Sequence, residues 1–233
     1  MNPQPSTSFS IGRRDALRLL GAGALAGLGL SGCGTERSGE PGGGRVYSGG
    51  SAGNLYTFIG GEAGPWRVTD VREVKGAALE PAARLDVVNG RVEGTPTGAK
   101  WLLRGVVSNL RYATADEVAR LKAVQPPLGR PEATHAALIP ISKSAEWWAL
   151  PQDRRRAIFE ETSRHTEIGL GYLPAVARRL HHGRDLGEPF DFLTWFEFAP
   201  AHAADFDALL AKLRATPEWG YVERETEVRL VRA

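Results

Sequence analysis

Residues 164–179, RHTEIGLGYLPAVARR, carry a histidine and an arginine thirteen residues apart, with Gly169, Gly171 and Pro174 between them. An imidazole can ligate a metal or move a proton, and a guanidinium is a permanent cation with several donors. Counting back along a helix, Ile158, Thr162 and His165 share one face, so the imidazole points where the apolar stripe points. A lone histidine on such a face is usually a satisfied core residue. In an unbroken helix Arg178 would stand about 20 Å from His165, on roughly the opposite face. The Gly/Gly/Pro run argues for a break, which lets the two side chains approach a shared cavity from different directions. The aromatic pair Trp147–Trp148, just after Lys143, could line that cavity, with the lysine at its mouth.

The other four histidines read as structural. His135 sits in an apolar strand, His181 and His182 at a helix end where the dipole favours a cation, and His202 in a turn. There is no HExxH, no paired CxxC and no serine elbow, so a structural zinc site and the common hydrolase mechanisms find no support.

The elements that must position these residues alternate. NLYTFIGG and PWRVTDVREVKG read as strands, RLDVVNGRVEG as a hairpin through Asn-Gly, and KWLLRGVVSNLRYA as a long strand. TADEVARLKAVQ is a capped amphipathic helix. After PPLGRP come the strand THAALIPISKS, the helix PQDRRRAIFEETSRH and a second helix PAVARRLHH. The strand FDFLTWFEFA, the helix AADFDALLAKLRAT and the closing strand GYVERETEVRLVRA follow. This order implies an α+β protein with two related halves, residues 54–130 and 131–233.

The front of the chain is of another kind. Arg13 and Arg14, followed by Leu17 and Arg18, form a twin-arginine pattern, and LLGAGALAGLGL is too short and too weakly apolar for a spanning helix. LSGC, ending at Cys33, resembles the bacterial lipobox, in which the cysteine is lipidated and becomes the first residue. Cys33 is the only cysteine in the chain, so no internal disulfide is available. Residues 1–33 are therefore expected to be an export signal, and residues 34–53, rich in Gly and Ser, a flexible tether. The expected location is periplasmic, lipid-anchored to a membrane through Cys33. The whole chain has a formal charge of +2, and Arg13, Arg14, Arg18 and Asp15 account for it, leaving the exported part near neutral. No nucleic-acid footprint remains.

The blocks ISKSAEWWAL, RHTEIGLGYLPAVARRLHHGRDLGEPFDFLTWFE and LRATPEWGYV resemble the chlorite dismutase family of haem proteins, in order and at compatible spacing. The similarity runs from about Trp101 to the C-terminus and is fainter over residues 55–100. Two departures are a longer segment between Trp148 and His165 and a loop of different length after Glu197.

The resemblance implies two ferredoxin-like halves forming a dimeric α+β barrel, with haem b in the C-terminal half, and subunits in a homopentamer. It implies His165 as proximal ligand of the haem iron, Arg178 as distal catalytic arginine, and Glu218 as hydrogen-bond partner of the ligand histidine. Lys143 and Trp147 would lie near the haem propionates, with Trp148 beside them. The implied activity converts chlorite to chloride and dioxygen. The alternatives are a periplasmic haem-binding lipoprotein without turnover, or a coproheme decarboxylase. Many decarboxylases carry glutamine where Arg178 stands, and some a tyrosine in the strand that here reads ALIPISK.

Overall fold

The computed structural model describes residues 53–108 and 112–233. The leader, the lipobox with Cys33, and all of the tether but its last residue lie outside them.

Eight strands close into an antiparallel barrel. The first four are β1 (Leu55–Gly61), β2 (Trp66–Lys75), β3 (Arg84–Asn89) and β4 (Ala99–Val107), followed by helix α1 (Ala115–Val124). The second four are β5 (His135–Lys143), β6 (Val176–His182), β7 (Phe192–Phe198) and β8 (Val222–Arg232). Around the barrel the order is β4-β1-β3-β2 and then β8-β5-β7-β6, so each half repeats one arrangement. The halves join where β2 pairs with β8 and where β4 meets the end of β6. Only the second half has helices between its strands. Short α2 (Ala145–Ala149), α3 (Gln152–Arg156) and α4 (His165–Leu170) lie between β5 and β6, and α5 (Ala203–Arg214) lies between β7 and β8. The two halves therefore share a strand order but not a full set of helices.

Period-two alternation makes two cores from one sheet. Along β5, Ala136 and Leu138 face the barrel interior with Phe58, Leu85, Leu103, Trp195 and Val228. Ala137, Ile139 and Ile141 face outward against Phe206, Leu209, Leu210 and Leu213 of α5. The site lies in this second layer, between the sheet and its helices.

Three local expectations change. Asn89-Gly90 is not a hairpin turn: β1 lies between β3 and β4, and no strand occupies residues 91–98. Strands separated by a third are about 10 Å apart, too far for a two-residue loop. Gly90 instead takes φ 118° and donates its N–H to the Leu55 carbonyl.

PAVARRLHH is not a helix but contains β6. Every residue from Val176 to His182 pairs with β7, and that ladder overrides the local preference of Ala, Arg and Leu for helix.

The helix before His165 ends early. After α3 the chain runs through a π-helical segment (Ala157–Thr162), and Arg164 turns left-handed at φ 52°. His165 then begins a new helix. The break precedes the histidine as well as following it.

Candidate active site

Four elements deliver the site's polar groups. Helix α4 begins with His165, β5 ends with Lys143, β6 carries Arg178, and a 3-10 turn (Pro217–Tyr221) carries Glu218. The Glu218 N–H donates to Ser163 Oγ at 3.0 Å, which ties this turn to the end of the π segment. His165 Nδ1 lies 2.7 Å from Glu218 Oε2, and Lys143 Nζ donates to Oε1 at 2.8 Å and to the Glu218 carbonyl at 3.2 Å. Burial alone would raise the Glu218 pKa, but the charges and hydrogen bonds of His165 and Lys143 outweigh it and hold the carboxyl at about 2.

An ionised carboxylate only accepts, so Nδ1 carries a proton, and in the neutral ring Nε2 keeps its lone pair. The ring is clamped: Phe159 stacks on it at 4.3 Å and Trp219 lies nearly parallel at 6.3 Å. The Trp219 indole is itself fixed by Glu225 Oε2 at 2.7 Å.

Arg178 lines the same cavity as His165. Part of its surface faces open space, but Nε is shut off from solvent and has no hydrogen-bond partner among the described residues. Desolvation lowers its pKa, with no carboxylate in opposition. A Cβ at Gly169 would lie 3.9 Å from the guanidinium, an ordinary contact, so α4 packs close to β6 beside the cation. The walls are mostly apolar, with Ile139, Leu180, Phe192 and Leu209 among them, around a cavity of about 100 Å3.

The residues read from the sequence divide. His165, Arg178, Glu218, Lys143 and Trp147 all line this cavity. Lys143 is not at its mouth: its side chain is 2% exposed, beneath Glu218 and 4.7 Å from the Trp147 ring centre. Trp148 does not line the cavity. Its indole donates to Asp191 Oδ2 at 2.9 Å, and Arg184 lies over its ring at 4.1 Å. His181 and His182 are not at a helix end but buried in β6. His202 is exposed beside Asp205, and His135 packs edge-on to Phe198. Periodicity and spacing pointed to neither Ser163 nor Phe159, whose contribution depends on a turn 55 residues away for Ser163 and on ring stacking for Phe159.

The donor set suits haem. Two imidazoles line the cavity, His165 and His182; the one held through Nδ1 by Glu218 matches a metal whose equatorial ligands come from a macrocycle. Among the described residues no group of three or more His, Cys, Asp or Glu could hold an ion by itself.

The sequence profile of the family described as chlorite dismutase matches residues 92–232. The chain belongs to the chlorite dismutase family. A curated chlorite dismutase from Ideonella dechloratans is 32% identical over 126 residues, which is 51% of this chain and 40% of that protein. The chain thus matches less than half the length of this relative. A solved dimeric chlorite dismutase from Nitrobacter winogradskyi is 53% identical, covers 76% of this chain and 99% of its own, and superposes with a TM-score of 0.71. The chlorite dismutase of Candidatus Nitrospira defluvii in complex with imidazole is 23% identical, with a TM-score of 0.56 over 78% of this chain and 93% of its own, a likeness of fold.

Proposed function

We propose that this family member is a haem b enzyme that converts chlorite to chloride and dioxygen. The observation that carries the reading is Arg178: a desolvated guanidinium with an unpartnered Nε, in an apolar cavity shared with an imidazole whose free nitrogen suits iron. Such a cation destabilises the unliganded protein unless an anion meets it.

His165 Nε2 would hold the iron, and haem would supply the redox chemistry on oxygen. Glu218 keeps the proton on Nδ1, fixes the ring plane and increases the basicity of the ligand. Lys143 keeps Glu218 ionised. Arg178 attracts the monoanionic substrate and retains chlorine-containing fragments by charge-assisted hydrogen bonds. The apolar walls keep water away while the two oxygens of chlorite leave together as dioxygen and chlorine leaves as chloride, which balances the atoms and the charge.

Support for this over the decarboxylase reading comes from arginine at position 178 and from β5, which holds no tyrosine. We further propose that the two halves are ferredoxin-like, on their repeated strand order. We propose a dimer rather than the pentamer expected from the family at large, on the 53% identical dimeric relative. Export by the twin-arginine route and anchoring through a lipid on Cys33 remain part of the proposal, on the leader sequence alone.

The test is to express residues 34–233, add haem, record the spectrum and follow oxygen on adding chlorite. A Soret band with oxygen release supports the enzyme. Haem binding without oxygen would leave a haem-binding lipoprotein instead.

A further inference from the structure

The cavity shared by His165 and Arg178 measures about 100 Å3, whereas pockets that enclose organic ligands take up roughly 300–1000 Å3. A macrocycle enters such a space only if one wall gives way. The walls differ in how firmly they are held.

Helix α5 buries Phe206, Leu209, Leu210 and Leu213, and its last residue, Arg214, pairs with Glu225 and Glu227 at 2.6 Å each. Helix α4 is tied through His165 to Glu218 at 2.7 Å. Helix α1 is held otherwise. Of its ten residues only Glu117 and Leu121 are buried, and Leu121 stands in the wall of the site. A wider cavity of about 710 Å3 runs beside the same helix, lined by Val118, Leu121, Lys122 and Gln125, so packed side chains do not back it there. An element with so few buried apolar contacts opens at a low cost in free energy.

Polar bonds hold α1 in place. Arg156, the last residue of α3, donates to both carboxylate oxygens of Glu117 at 2.7 Å and to the Tyr112 carbonyl ahead of the helix. Beyond the other end, Gln125 Nε2 donates to the Arg178 carbonyl at 3.0 Å. Arg156 directly precedes the π-helical segment that carries Phe159, the ring stacked on His165. One ion pair thus fastens the α1 wall to the stretch of chain that leads to the histidine. Its side chains are 24% and 9% exposed, so water can reach the pair and solvate both charges as it parts.

We propose that α1 is a lid, latched by Arg156 and Glu117, that swings aside to admit haem. The inference rests on the haem reading of the site and adds the way in.

The unloaded full chain is mixed with haemin and uptake is followed by growth of the Soret band; loss is followed by transfer to excess apomyoglobin. Glu117→Gln keeps a hydrogen-bonding group but removes the charge, and should speed both uptake and loss about tenfold. A second arm locks the latch. Cys33→Ser removes the only cysteine of the chain, and Glu117→Cys with Arg156→Cys is then bridged by a short, reducible bis-methanethiosulfonate linker. The bridged protein should take up haemin about tenfold more slowly than the same protein after reduction, with unchanged circular dichroism. Equal uptake before and after reduction would overturn the lid, as would parental rates in Glu117→Gln. A parent protein that gives no Soret band with haemin would instead remove the haem reading, and the lid with it.

Discussion

Glu218 shows how one buried carboxylate can organise a site. It is 3% exposed, yet it joins an imidazole that must keep one nitrogen free and an ammonium that has no access to water. Replacing it by glutamine keeps a hydrogen-bonding group but strands Lys143 as a buried charge, which should cost about 3 kcal/mol in denaturant unfolding. Its folded pKa of about 2 lies below the ordinary glutamate value of 4.5. The stabilisation from ionised Glu218 is therefore complete above pH 4.5 and lost as pH falls toward 2. Unfolding curves at pH 7 and pH 3.5 should differ less in Glu218→Gln than in the parent protein. His165→Ala should abolish the Soret band on haem addition. Arg178→Gln should retain haem while reducing turnovers before bleaching; unchanged turnover would remove Arg178 from its assigned role. The types and order of these residues were legible in the sequence, Glu218 only through the family resemblance. The burial of Lys143 and the turning away of Trp148 were not, because both depend on contacts with residues distant in the chain.

Among the elements, β6 carries the most consequence. Read locally, VARRLHH suits a helix, and only its pairing with β7 and β4 makes it a strand. The alternation that follows sends Arg178 to the helix-covered face and His181 into the barrel. Across from it, a Cβ on Gly105 would lie 2.6 Å from the Cβ of His181. Gly105→Ala should therefore destabilise by about 1–3 kcal/mol through overpacking, measured by thermal or urea unfolding. Helix α1 illustrates the opposite case, in which local chemistry suffices. Thr114 and Glu117 form a complete capping box, as TADE suggests, and Arg156 adds two bonds of 2.7 Å to the same glutamate. Thr114→Ala should cost about 1 kcal/mol. The early helix end at Arg164 had no such local signal, since its left-handed turn is compensated by the packing of α4 around His165.

At the scale of the molecule, the barrel closes through the last strand. β8 lies between β2 and β5, so the C-terminal segment joins the two halves. The N-terminal half has no helices between its strands, and the cavity of His165 and Arg178 forms where α4 and α5 cover the sheet, with Leu121 of α1 at its wall. If the proposed dimer is correct, light scattering on residues 34–233 should give twice the chain mass. Five times the chain mass would restore the pentamer.

The sequence by itself determined the chemical inventory: an α+β order of elements, and a histidine, arginine and glutamate in family-like spacing. These are local properties of composition, periodicity and motif. The tertiary structure decided which of these groups meet. His165 and Glu218 are 53 residues apart, and Lys143 and Glu218 are 75 apart. Their contact depends on strand order and register, which arise from long-range pairing and shared burial rather than from any neighbouring residues. The same register turned a helical-looking run into β6 and so set Arg178 in the wall of the site.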